Sequence, residues 1–119
     1  MIEVNDWCTG NSNVLKLDFD SHKIVPELWT RLPFIIAKLE LDIICASYSY
    51  SPSGRGMHVV IYLNEMLTPN QIVFLQSLLG SDWRRETFNY IRAQAVGDAP
   101  AFWRTRWNVL YADKVRAGK

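Results

Sequence analysis

Val14-Leu15-Lys16-Leu17-Asp18-Phe19-Asp20 alternates toward a carboxylate-bearing end and follows a turn-rich stretch, Thr9-Gly10-Asn11-Ser12-Asn13. This pattern predicts a short first strand. Leu28, Leu32, Ile35, Ile36 and Leu39 then recur at steps of three and four, the period of a helix that buries one face. Pro26 suits a first turn, so the spacing predicts a helix over residues 25–39. Pro33 lies inside that span. Proline removes a backbone donor and clashes with the preceding turn, so a kink or a division into two shorter helices is expected there. Ile43 to Tyr50 is rich in strand formers, Ser51 to Gly56 in turn formers, and Met57 to Leu63 is again strand-like. That order predicts a hairpin with a long, glycine-bearing connection.

Further on, Thr68 is placed to cap a helix with Pro69 at its first position, and Ile72, Leu75, Gln76 and Leu79 continue it until Gly80. Asp82 is placed to cap a second helical piece over residues 82–95, with Phe88, Ile91 and Ala95 at helical spacing. Residues 97–100 read as a loop and Trp107-Asn108-Val109-Leu110-Tyr111 as a closing strand, ahead of a basic tail over 114–119. The order β, α, β, β, α, β implies an α+β fold of the RRM-like, ferredoxin-like kind. Its expected form is a four-stranded antiparallel sheet with helices packed on one face.

The bulk numbers narrow this reading. A length of 119 residues, 49% hydrophobic and 21% charged, suits a single globular domain over 1–119 and argues against disorder. Apolar runs are too short to span a bilayer and the start lacks a signal-peptide pattern, so a soluble, cytoplasmic protein is expected. Cys8 and Cys45 have no partner spacing of the zinc-binding kind, which fits a reducing compartment. Net charge is only +1, yet residues 1–83 carry a net −4 and residues 84–119 a net +5. Such asymmetry suits one cation-holding region and one phosphate-facing region, although a solvated basic helix and tail would read the same way.

Two stretches carry candidate chemistry. Asp18 and Asp20 are two apart in a predicted strand, so both carboxylates project from one face. Paired carboxylates repel unless a positive charge lies between them, and Mg²⁺ or Mn²⁺ is the natural partner. In Ser51-Pro52-Ser53-Gly54-Arg55-Gly56-Met57-His58, Gly54 and Gly56 allow close backbone approach. Ser53 and Arg55 offer donors, and His58 starts the next strand. These are phosphate-binding parts. An ordinary hairpin loop is the plainer alternative.

Together these stretches resemble the catalytic core of the archaeo-eukaryotic primase and primase-polymerase superfamily, in which a DxD motif at a strand end is followed by a hairpin motif of the type SxSGxGxH. Leu17-Asp18-Phe19-Asp20 is similar to the first motif and Ser51 to His58 to the second. The resemblance implies that Asp18 and Asp20 hold catalytic Mg²⁺ or Mn²⁺. It implies too that Ser53, Gly54, Arg55, Gly56 and His58 bind a nucleoside triphosphate, and that the chain serves DNA replication, of a virus or plasmid, beside other replication proteins. A third acidic residue belongs to that pattern. Asp113 is the candidate by position and Asp82 stands behind it. The family's zinc-bearing element and larger size are missing, so a minimal or non-polymerising member is implied.

The same fold also serves HUH-type replication initiators, which nick DNA with a tyrosine beside a histidine-bound metal. Tyr111-Ala112-Asp113-Lys114 has their YxxK spacing, but Gly56 stands where the second histidine would, and Tyr111 fits a packed strand-end aromatic better. A non-enzymatic nucleic-acid-binding module is the remaining alternative. For a DNA or RNA template, Arg84, Arg85, Arg92 and Lys114 are the candidate phosphate contacts, with Trp83, Trp103 or Trp107 available to stack on bases.

Overall fold

The structure is a computed structural model that describes residues 3–6, 8–19, 25–50, 54–95 and 107–108. Among the described residues, three strands and three helices follow one another as β1 (Ser12–Phe19), α1 (Val25–Lys38), β2 (Ile43–Tyr50), β3 (Met57–Leu67), α2 (Pro69–Leu78) and α3 (Trp83–Gln94). The strands form one antiparallel sheet in the order β1-β3-β2. β3 therefore sits in the centre, and β1 and β2 run parallel to each other on either side, joined by the α1 crossover.

Alternation decides which face is buried. Leu15, Leu17 and Phe19 on β1 and Met57, Val59, Ile61 and Leu63 on β3 point to one side, where Leu28 and Leu32 of α1 and Ile72 and Leu75 of α2 close over them. Leu17, Val59, Ile61, Leu63 and Ile72 are fully buried. Each such side chain contributes roughly 1.5–3 kcal/mol relative to exposure. Helix α1 is a single element through Pro33, so of the kink or division expected there, the division into two pieces does not occur. Pro33 is itself exposed, and Leu28 and Leu32 before it and Ile35 and Ile36 after it bind to the same core.

The caps follow the sequence. Thr68 and Gln71 form a capping box at the start of α2, with Pro69 at its first position, and Asp82 accepts from the Arg84 amide to cap α3. Helix α3, however, faces the other way from its sequence pattern. Phe88 and Ile91 are exposed, while Glu86 and Asn89 are buried.

The expected fourth strand is replaced among the described residues by a different device. A closing strand would pair with the free edge of β1, but that edge is occupied. The Lys16 amide donates to Gln76 Oε1 at 2.8 Å and Arg85 Nη1 donates to Lys16 O at 2.7 Å. The Asp18 amide donates to Ser81 Oγ at 3.0 Å, and the Asp82 amide donates to Asp18 O at 2.6 Å. Helices α2 and α3 and the turn between them thus satisfy the edge groups that a strand would have taken. Trp107 and Asn108 form a bend, not a strand; the rest of the predicted strand, through Tyr111, lies outside the described residues. Asn108 is buried and joins the same edge: its Nδ2 donates to Gln76 Oε1 at 2.8 Å, and its Oδ1 accepts from Arg85 Nη2 at 2.9 Å. Trp107 donates to Gly10 O at 3.0 Å.

Candidate functional site

The antiparallel register of β1 and β3 sets Asp18 directly opposite His58. Opposed residues in such a pair share a face, so both side chains leave the sheet on the side away from α1 and α2. The gap between His58 Nε2 and Asp18 Oδ1 is 3.4 Å, with the imidazole 5% and the carboxylate 21% exposed. Two side chains forty positions apart in the chain thus converge. On the far side of His58, Ser49 of β2 completes the row.

Asp18 is held from its other strand edge as well. Its amide and carbonyl are fixed by Ser81 and Asp82, and Ser81 Oγ in turn donates to Glu86 Oε2 at 2.7 Å. Beneath lies a buried polar cluster. Gln76 Nε2 donates to Glu86 Oε1 at 2.6 Å and to Asn108 Oδ1 at 3.1 Å, and Arg85 pairs with Glu86. Burial pushes the Arg85 guanidinium below the ordinary arginine range, against the opposing pull of the Glu86 and Asp18 carboxylates. Asp18 therefore stands within the field of a guanidinium as well as beside an imidazole.

Of the other residues singled out in the sequence, Gly54 and Arg55 are exposed at the hairpin end and Gly56 is buried. Gly54 has φ +76° and open space around it, so its backbone conformation and not crowding calls for glycine. Asp20, Ser53, Tyr111, Asp113 and Lys114 lie outside the described residues. Asp82 is adjacent to Asp18 through the backbone, yet its carboxylate is engaged as the cap of α3. The arginines divide. Arg84 is exposed, its guanidinium 5.6 Å from the Trp83 ring centre. Arg85 is turned inward onto Lys16, Glu86 and Asn108. Arg92 is half-buried and donates to Asn89 Oδ1 at 3.1 Å, and burial lowers its pKa.

The residues that no motif singled out are Ser81, which accepts from the Asp18 amide, and Glu86, Gln76 and Asn108, the polar groups linked behind it. Gln76 did carry a signal. It is a polar residue within the apolar stripe Ile72, Leu75, Leu79, and a polar side chain on a buried face needs a buried partner.

The donor set suits a hard cation in part. Asp18 offers a carboxylate oxygen at a half-buried position, while the described residues include no cluster of three or more metal-ligating side chains. Asp20, two positions further along the strand direction, would have to add a second carboxylate.

Over 69 residues the chain is 38% identical to "Uncharacterized protein 30" of Sulfolobus islandicus filamentous virus (isolate Iceland/Hveragerdi), a match covering 58% of this chain and 24% of that protein. The chain thus spans about a quarter of the length of the curated relative it matches. No family model matches the sequence, and no solved structure matches the chain. No described helix is long and apolar enough to cross a membrane.

Proposed function

We propose that this chain binds a nucleoside triphosphate together with a divalent cation, and contacts DNA or RNA, as the nucleotide-binding part of a replication protein on the primase-polymerase plan. The observation that carries this reading is the cross-strand pairing of Asp18 with His58. A strand-end aspartate and the histidine that closes a glycine-rich hairpin meet on one face, as the two sequence motifs require.

In this mechanism Mg²⁺ or Mn²⁺ supplies charge neutralisation at the triphosphate. Asp18 and Asp20 bind it. His58, buried with Nε2 toward Asp18, holds that carboxylate in orientation. The loop of Ser53, Gly54, Arg55 and Gly56 takes the phosphates through amides and the exposed guanidinium. Arg84 with Trp83 faces a template, one as phosphate contact and the other as stacking surface; Arg92 and Lys114 are the further candidates. Nucleotidyl transfer needs a third acidic group, a role that falls to Asp113.

One observation favours a second reading. The Arg85 guanidinium offsets part of the charge of Asp18, and His58 Nε2 lies 3.4 Å from its carboxylate, which suits a binding module without catalysis as well as an enzyme. A nickase through Tyr111 has less support, because Gly56, and not a second histidine, stands two positions before His58.

Calorimetric titration with Mn²⁺ and a nucleoside triphosphate tests the proposal. Binding is expected to need both components, to be lost in Asp18→Ala and to be kept in Tyr111→Phe. Equal binding by Asp18→Ala and the unaltered protein would refute it. Covalent capture of a DNA 5′-phosphate on Tyr111 would establish the nickase instead.

A further inference from the structure

The two edges of the sheet are treated differently. On β1, side chains from α2, α3 and the turn between them occupy the edge groups of Lys16 and Asp18. On β2, pairing among the described residues is with β3 alone. The eight residues Ile43-Ile44-Cys45-Ala46-Ser47-Tyr48-Ser49-Tyr50 contain no charge and no proline, and all but Ile43 are exposed. Tyr48 is 66% exposed on the side where the sheet meets its helices. Edge strands in monomeric proteins are ordinarily blunted by charge, proline, bulges or a covering element. Here a single shift of register, between Ile43 and Cys45, breaks the strand. From Cys45 to Tyr50 the register with β3 is regular.

We propose that this edge is the interface of a homodimer in which β2 pairs antiparallel with β2 of a second copy about a two-fold axis at Ser47, giving one continuous six-stranded sheet. Opposed residues must share a face, and the axis at Ser47 meets that condition. Ala46 then lies opposite the partner copy's Tyr48 on the helix side, a small residue against a large one. Cys45 lies opposite Ser49 on the other side. Charge selects a second copy as the occupant. The end of the sheet where β2 begins carries Glu40, Asp42 and Glu65, with Glu65 accepting from the Asp42 amide at 3.1 Å. The end where β2 finishes carries exposed Arg55. Antiparallel self-pairing brings the acidic start of β2 in each copy alongside the Arg55-bearing hairpin of the other, twice in the assembly. A parallel arrangement, or an acidic peptide strand, would set like charges together at one end.

The test is sedimentation velocity on the full chain at micromolar concentrations, with Ser47→Lys as the disrupting variant and circular dichroism to confirm that the variant keeps its fold. Two lysines opposed at the axis are expected to weaken dimerisation by about tenfold or more. Where Ser47→Lys fails to fold, oxidative cross-linking decides. With Cys8→Ser and Cys45→Ser as background, Ser47→Cys is expected to form an intermolecular disulfide, because it lies against itself, and Ser77→Cys is not. A monomeric unaltered protein, a dimer indifferent to Ser47→Lys, or equal cross-linking at positions 47 and 77 would overturn the proposal.

Discussion

Glu40 and Gly80 occupy equivalent places at the ends of two helices. Each takes a left-handed backbone, φ +54° and +95°, and each is followed by an amide that reaches back five residues, Leu41 to Ile36 O at 3.0 Å and Ser81 to Gln76 O at 3.0 Å. Glycine adopts that conformation without steric cost, whereas a residue with a Cβ loses roughly 1–2 kcal/mol there. Part of any exchange is offset by the greater freedom of glycine in the unfolded chain, about 0.4–1 kcal/mol. Glu40→Gly is therefore expected to stabilise by about 0.5 kcal/mol. Gly80→Ala is expected to destabilise by a similar amount, since an added Cβ would make only ordinary contacts, 3.6 Å to Phe19 and 3.7 Å to Arg31. Urea unfolding of the two variants checks both signs. The buried Arg85 and Glu86 pair is a larger matter. Glu86 accepts from Gln76, Ser81 and Arg85, and its removal leaves a buried guanidinium without its carboxylate. Breaking a buried pair from one side costs about 3–5 kcal/mol. Glu86→Ala should lower stability by that order in the same assay, and a loss below about 1 kcal/mol would show that the cluster is open to water.

Elements with local causes were legible in the sequence. The caps at Thr68 and Asp82, the Pro69 start, the hairpin and its strands all depend on residues within a few positions, and the structure has them where spacing put them. Elements whose orientation depends on distant partners were not. The apolar positions of α3 suggest Phe88 and Ile91 inward, but the edge of β1 has polar groups to satisfy: Arg85 meets one directly, Glu86 holds Ser81 against another, and Asn89 faces inward to join Glu86 and Asn108. The same demand removed the fourth strand from Lys16 and Asp18. Nothing periodic marks a backbone amide that will be met by a glutamine sixty residues away. Pro33 illustrates the reverse case, a local breaker that does not divide a helix whose flanking residues pack on the core. Its interior position costs roughly 3 kcal/mol in a helix, less about 1 kcal/mol recovered from a stiffer unfolded chain. Pro33→Ala is thus expected to raise stability by about 2 kcal/mol, seen as a shift in the urea midpoint with unchanged slope. No shift would mean that α1 accommodates proline without losing helical bonding.

At the scale of the whole molecule, the sheet brings together what the sequence separates. Asp18 and His58 come from different motifs, and only the β1 to β3 register makes them neighbours. That much of the candidate site could be expected from motif order, because a strand and the hairpin return that follows it commonly pair in a split βαβ arrangement. The groups that hold Asp18 from the opposite edge could not, since they are Ser81 and Asp82 of the turn between α2 and α3, backed by Glu86. One edge of the sheet is thus sealed by polar groups, the other pairs among the described residues with β3 alone, and a carboxylate stands beside an imidazole on the face between them. The proposal assigns this carboxylate a part in cation and nucleotide binding. Paramagnetic broadening addresses that most directly: Mn²⁺ is added to isotope-labelled protein in the presence of a nucleoside triphosphate, and amide signals are followed by NMR. The prediction is early, selective loss of signals from Asp18, His58 and the Gly54 to Gly56 loop, abolished in Asp18→Asn. Broadening spread evenly over the acidic surface, or unchanged by Asp18→Asn, would contradict the account.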